Sequence, residues 1–238
     1  MYLQVTTIFF DVGNTLLFPN RKRIHAPLAE KGWNPEPERL RQLECRIKCE
    51  FDALMVSDGN HDHSFWLMFY TQLFADLGVI DERLRNELVA GVRDSANWDQ
   101  IRPGTREHLL SFAQRYRIGV ISNADGRIED VLRRCGIADC FLTITDSGLV
   151  GREKPHPEIF RHAMQAMSAS PENCLYVGDV YSVDYLGARR AGMQAVLMDV
   201  PGAYKDKGVA RVESLAELEF LLLNSGGRSP HSAGQAHD

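Results

Sequence analysis

An apolar run that stops abruptly at an aspartate constrains this chain more than any other feature. Thr7-Ile8-Phe9-Phe10 is rich in β-branched and aromatic residues, Asp11 ends it, Gly13 and Asn14 permit a tight turn, and Leu16-Leu17 follow. A run of this length with turn residues behind it reads as a strand buried on both faces in a parallel sheet. A carboxylate just past the carboxyl end of such a strand lies where open α/β sheets put their ligands. Alone, Asp11 would read as an ordinary strand cap, so its neighbours at that edge decide the matter.

Beyond Leu17 the pattern changes. Arg21-Lys22-Arg23 opens a helical pattern that reaches Glu30 and is stopped by Gly32. Pro35 and Pro37 precede a helix expected over 38–56, and Asp58-Gly59-Asn60 reads as a turn. Phe65, Met68, Phe69, Leu73 and Leu77 fall at helical spacing, and Asp81 opens a further helix through Leu84, Leu88 and Val92. From Arg102 onward short buried strands at 118–121, 141–144, 175–177 and 195–198 alternate with helices, the last over 215–223. Such alternation predicts a doubly wound, Rossmann-like parallel-sheet α/β core. Its segments are 1–19 and 98–223, with 20–97 an all-helical insertion that moves on hinges near 17–20 and 98–103. The tail over 224–238 is Gly/Ser/Pro/His-rich without apolar periodicity and is expected to be mobile.

Four polar groups then fall just past strand ends: Asp11, Ser122-Asn123, Lys154, and Asp179 with Asp184. Each has an ordinary alternative as a cap, turn former or solvated charge. Together at one sheet edge they suit a carboxylate nucleophile working on an anion, since an Asp can attack phosphorus to give an aspartyl phosphate. Asp11 and Asp179 make a hard oxygen site suited to Mg²⁺. The Ser122 hydroxyl and the N–H groups opening the next helix can hold phosphoryl oxygens, and Lys154 adds a compact positive charge.

The bulk numbers exclude other classes. A net charge of -5 argues against a nucleic-acid binder. No apolar run approaches the ~20 residues that span a bilayer, and the N-terminus reads as a strand rather than a cleavable signal. Five cysteines in 238 residues are too few for a disulfide framework. Cys45 and Cys49 lack a second ligand pair, which favours reduced thiols and a cytoplasmic setting. His61-Asp62-His63 lacks a third well-spaced ligand and reads as a polar loop.

Phe10-Asp11-Val12-Gly13-Asn14-Thr15-Leu16, Val120-Ile121-Ser122-Asn123, Lys154-Pro155-His156-Pro157-Glu158-Ile159-Phe160, and Val177-Gly178-Asp179 through Asp184 to Gly187-Ala188-Arg189 occur in that order. In this the chain resembles the haloacid dehalogenase-like hydrolases with a helical cap inserted after the first strand, over almost everything up to about residue 222. The resemblance implies a hydrolase of small phosphorylated molecules with Asp11 as nucleophile. Thr15, Ser122, Asn123 and Lys154 would contact phosphate. Mg²⁺ would sit on Asp11, the Gly13 carbonyl and Asp179, with Asp184 acting through water or through another ligand.

One departure matters. Family phosphatases usually carry a second Asp two residues after the nucleophile as acid and base, and here that residue is Gly13. Such proton transfer typically contributes ~10²–10⁴-fold in rate. Activated esters should therefore be favoured, and Gly13→Asp should help alkyl phosphates if the turn tolerates a Cβ. Two other readings stand beside the phosphatase. One is a 2-haloacid dehalogenase, whose halide leaves without a proton but whose relatives carry an uncharged residue at Asp179. The other is a catalytically weak module that binds a phospho-ligand or a protein. Phe18, Arg21, Arg23 and His25 are candidate ligand contacts from the cap, with a solvated first helical turn as the alternative.

Overall fold

The structure, a computed structural model, describes residues 5–58 and 65–225. The strand over Thr7–Phe10 (β1) runs into the tight turn and a short strand, Leu17–Phe18 (β2). Five helices follow: α1 (Arg21–Ile24), α2 (Ala26–Glu30), α3 (Pro37–Asp58), α4 (Phe65–Leu77) and α5 (Glu82–Arg93). Next come β3 (Gln100–Ile101), α6 (Thr105–Ala113), β4 (Arg117–Ser122), α7 (Ile128–Arg134), β5 (Thr143–Asp146) and α8 (Ser147–Val150). The chain closes with α9 (Pro157–Ala166), β6 (Cys174–Gly178), a π-helical turn over Tyr181–Tyr185, α10 (Leu186–Arg190), β7 (Gln194–Met198), β8 (Arg211–Val212) and α11 (Leu215–Ser225).

Six strands form one sheet in the order β5-β4-β1-β6-β7-β8, every neighbouring pair parallel. The first strand is central because its apolar residues serve both faces. Ile8 and Phe10 pack with α6, α7 and α11, whereas Phe9 packs with Ile159, Phe160 and Met164 of α9. The connection from β1 goes to β4 on one side while β6 takes the other, so the sheet reverses its winding beside β1. That crevice is where doubly wound sheets bind ligands.

Among the described residues, 20–97 give no strand to this sheet. The helices there have their own apolar core, which includes Leu28, Leu43, Phe69, Leu73 and Leu88. One face of α3 docks on the sheet domain. Arg41 Nη1 donates to the Pro201 carbonyl at 2.7 Å, Lys48 reaches Asp179, and Asp52 accepts from the Ser182 N–H at 2.8 Å. No helix of the described residues is long and apolar enough to cross a membrane. Their cysteines are all free, with Cys45 and Cys49 directed at the Pro201 and Ala203 carbonyls.

Several elements differ from the sequence expectation. The strand expected at 141–144 is Thr143–Asp146, because a turn over Ala138–Cys140 precedes it and Leu142 is 62% exposed. The antiparallel β2–β3 pair and the two-residue β8 are too short to show a period. The helical pattern expected from Arg21 to Glu30 breaks at His25, where Pro27 opens a new helix. The last helix, expected over 215–223, continues to Ser225. The remainder of the tail and the His61-Asp62-His63 loop lie outside the described residues.

His25 is buried at the α1–α2 junction, with Nε2 3.2 Å from the Tyr70 hydroxyl. Burial, and secondarily the Arg21 charge, push its pKa down from 6.5 to about 4. The unfolded chain therefore takes up this proton more readily than the folded one. The His25 contribution to stability is whole above pH 6.5 and is lost as the pH falls toward 4, at about 1.4 kcal/mol per pH unit. Urea unfolding between about pH 7.5 and 4.5 should show a smaller acid loss in His25→Phe than in wild type. Identical pH slopes would contradict the assignment.

Candidate active site

Three neighbouring strands deliver the site through their register. Phe10 lies opposite Val120 on one side and Val177 on the other. Asp11 is one residue past Phe10, Ser122 two past Val120, and Asp179 two past Val177. Their side chains therefore meet at one edge, and the Asp11 N–H donates to the Val177 carbonyl at 2.8 Å. Carboxylate oxygens of Asp11, Asp179 and Asp184 all lie within 4.8 Å of one another, and all three residues are buried.

Lys154 holds this cluster from the β5–α9 connection. Its Nζ donates to Asp11 Oδ1 at 2.6 Å, Asp184 Oδ1 at 2.8 Å and the Tyr176 hydroxyl at 2.8 Å, so all three ammonium protons are engaged. The Asn123 side chain grips the Lys154 backbone at both ends, accepting from its N–H at 2.8 Å and donating to its carbonyl at 3.0 Å. Asn123 thus positions Lys154. Asp184 Oδ2 accepts the N–H groups of Asp179 at 3.0 Å and Val180 at 2.9 Å. Gly178 makes this turn possible, because a Cβ there would lie 2.5 Å from Asp184 Cγ. Asn14 takes φ 53 in the turn after Asp11, a conformation Asn tolerates better than most residues.

Two residues of the site carry no signal in the linear sequence. Lys48, fully buried on α3, donates to Asp179 Oδ2 at 2.8 Å and to its carbonyl at 3.1 Å. Glu44 lies 3.6 Å from the same ammonium and pairs with Arg21 at 3.2 Å. Asp146, at the end of β5, accepts N–H groups of Gly126, Ile128 and Gly148, which fixes the loop following Ser122. A lysine inside an amphipathic helix looks like any solvated charge until the helix is docked.

Burial pushes the Asp11 carboxyl up to about 7, the Lys154 charge opposes this, and the Asp184 and Asp179 charges add to it. Asp179 is raised by burial against the pull of Lys48. Lys154 is held above its ordinary value because its carboxylate partners outweigh its own burial. Three carboxyl groups thus face the Lys154 and Lys48 ammoniums, and Lys48 also faces Glu44.

The cavity over this edge has a volume of about 410 Å³, and Asp11, Gly13, Ser122, Lys154 and Asp179 line its polar end. Thr15 does not line it, and its buried hydroxyl has no hydrogen-bond partner among the described residues. Phe18, Arg21, Arg23 and His25 do not line it either. Arg23 is tied to Ala96, Asn97 and Asp99, and Phe18 lies under Arg102. The helical wall comes instead from α3, the start of α4, the end of α5 and the segment that follows it: Phe51, Phe65, Trp66, Val92 and Trp98.

The parallel sheet, its winding reversal and this aspartate–lysine edge define a doubly wound α/β hydrolase. The chain belongs to the haloacid dehalogenase-like hydrolases, whose family model matches residues 5–192. It is 31% identical over 238 residues to haloacid dehalogenase-like hydrolase domain-containing protein 3 of Bos taurus, across 92% of this chain and 93% of that one. It is 38% identical over 99 residues to glyceraldehyde 3-phosphate phosphatase of Methanothermobacter thermautotrophicus, across 41% of this chain and 44% of that one. The fold is shared with the magnesium-bound HAD-hydrolase YfnB of Bacillus subtilis, at a TM-score of 0.66 and 19% identity, across 92% and 99% of the two chains.

Proposed function

We propose that this protein is a Mg²⁺-dependent cytoplasmic phosphatase that cleaves a small phosphate ester through an aspartyl phosphate on Asp11. The observation that carries the reading is the buried carboxylate triad within 4.8 Å, met among the described residues by the Lys154 and Lys48 ammoniums. Hard carboxylate oxygens suit a divalent cation. Asp11, Asp179 and the Gly13 carbonyl would hold it, and Asp184 would fix the Asp179 backbone. Bound there, Mg²⁺ would offset repulsion between Asp11 and a phosphate dianion and withdraw charge from the transferring group.

The chain's own residues do the rest. Lys154 keeps Asp11 oriented and adds positive charge beside the attacked phosphorus. Ser122 and the Asn123 N–H receive phosphoryl oxygens. An Asp11 oxygen bonds to phosphorus as the ester oxygen leaves with its electron pair, and water then cleaves the aspartyl phosphate. The helices over residues 20–97 act as a cap that excludes bulk water, with β2 and β3 spanning its hinges. A 2-haloacid fits less well, because it would bring a further carboxylate to a site already rich in them.

Asp11→Asn should fold normally and lose at least about 10³-fold in turnover, since an amide is no longer a carboxylate nucleophile. Circular dichroism and phosphate-release assays check both halves. Retained turnover would contradict the assignment.

Lys48 shares Asp179 with the proposed cation. Calorimetry should find Mg²⁺ binding severely weakened by Asp179→Ala and tightened about 10-fold by Lys48→Met, which leaves a buried carboxylate without its partner. Mg²⁺ should raise the thermal midpoint of Lys48→Met more than that of wild type. Unchanged affinity in both variants would remove the metal assignment.

Gly13 also has a structural answer. It does not occupy the left-handed region, so strain is no obstacle to a side chain. Space is the obstacle, because a Cβ there would meet the Trp98 ring at 3.2 Å. Gly13→Asp alone should therefore gain little. Paired with Trp98→Ala it should raise alkyl phosphate turnover by up to roughly 10²-fold. An equal gain from the single variant would show that the indole does not block the position.

A further inference from the structure

The cavity has two chemically different sets of lining groups, and the phosphate accounts for only one of them. Beside the Asp11–Lys154 edge runs a continuous chain of edge-to-face rings. Phe51 and Phe65 have centroids 5.7 Å apart, Phe65 and Trp66 4.9 Å, and Trp66 and Trp98 5.7 Å. All four line the same cavity of about 410 Å³, a volume that suits a compact ligand. Polar groups on this side are largely spent within the protein. Trp98 Nε1 donates to the Val92 carbonyl at 2.7 Å, and the Ser95 hydroxyl donates to Asp125 at 2.7 Å. A polyol phosphate would leave its hydroxyls against rings, whereas a flat ring would meet partners of its own kind.

The leaving-group side points the same way. Residue 13 offers no proton, and a Cβ there would press on the Trp98 ring at 3.2 Å. A leaving group that departs well here is one that carries its negative charge unaided.

We propose that the substrate is the phosphate monoester of an aromatic alcohol, a phenol or a hydroxylated planar heteroaromatic ring, seated against Trp66 and Trp98. This rests on the phosphatase reading above and narrows it to one ester class. An Asp11 oxygen forms a bond to phosphorus, the phosphorus–aryl oxygen bond breaks, and its electron pair leaves on the ring as an aryloxide. Water then adds to phosphorus, the aspartyl bond returns its pair to Asp11, and the proton of the attacking water passes to solvent or to phosphate. Free phosphate and the aromatic alcohol are the products.

Two measurements on the full-length protein with Mg²⁺ test this. In calorimetry, the non-hydrolysable phenylphosphonate should bind about 5-fold tighter than cyclohexylphosphonate, which matches it in apolar area but not in aromaticity. Trp66→Leu should narrow that ratio. In steady-state assays, kcat/KM for substituted phenyl phosphates should exceed that for glycerol phosphate by about 100-fold or more and rise as the phenol becomes more acidic. Equal affinity for the two phosphonates, or equal kcat/KM for aryl and glycerol esters, overturns the proposal. If no ester turns over while phenylphosphonate keeps its advantage, the phosphatase reading falls and the substrate proposal falls with it, leaving only an aromatic-selective binding site. If glycerol phosphate is hydrolysed as fast as the aryl esters, the phosphatase reading stands and the aromatic one falls.

Discussion

Three carboxylates brought within 4.8 Å of one another and cut off from water repel strongly, and the architecture of this protein answers that repulsion. Two like charges about 4 Å apart cost about 4 kcal/mol at an effective dielectric near 20. Lys154 spends every ammonium proton on the cluster and its Tyr176 neighbour, and Asp184 is further satisfied by two backbone N–H groups. The structure supporting Lys154 is equally deliberate. Asn123 clamps its backbone, and the buried Tyr176 hydroxyl reaches the Ile121 carbonyl or Asp184, each at 3.1 Å. Removing one partner from such a buried set leaves an uncompensated charge, at a cost of about 3–5 kcal/mol.

The same electrostatics tie the helical insertion to the sheet. Lys48 sits in the middle of α3 with its ammonium on Asp179, so docking of the helices and neutralisation of the site are one event. Arg41 and Asp52 lie on the same face of that helix, one before and one after Lys48, and each finds a partner on the sheet domain. A cation held at Asp179, as proposed, would compete with Lys48 for one carboxylate and so couple its binding to the seating of α3.

Much of this was legible in the sequence, and the limits have physical causes. Asp11, Ser122 and Asp179 stand out because buried strands end at fixed places and parallel register brings those ends together, whereas Lys154 and Asp184 come from the connections that follow. The helical character of 20–97 was visible in its 3.6-residue period, and the sheet in its short apolar runs. What stayed hidden depends on docking rather than on period. Lys48 and Asp52 look like the polar face of α3 until that face meets Asp179 and Ser182. Phe51, Phe65, Trp66 and Trp98 look like core residues until the cavity opens beside them, whereas Phe18, Arg21, Arg23 and His25, candidate contacts from the cap, are engaged elsewhere in the protein. Gly13 reads in sequence as an absent acid, but only the structure shows the Trp98 indole against it.

The central claim is that Asp11 carries the phosphoryl group. Rapid acid quench of wild-type protein with p-nitrophenyl phosphate and Mg²⁺, followed by peptide mass spectrometry, tests it directly. A phosphoryl adduct should appear on Asp11 at the first time points and vanish as substrate is exhausted. Steady turnover with the adduct on another residue, or with no adduct at any time resolved, would contradict the account.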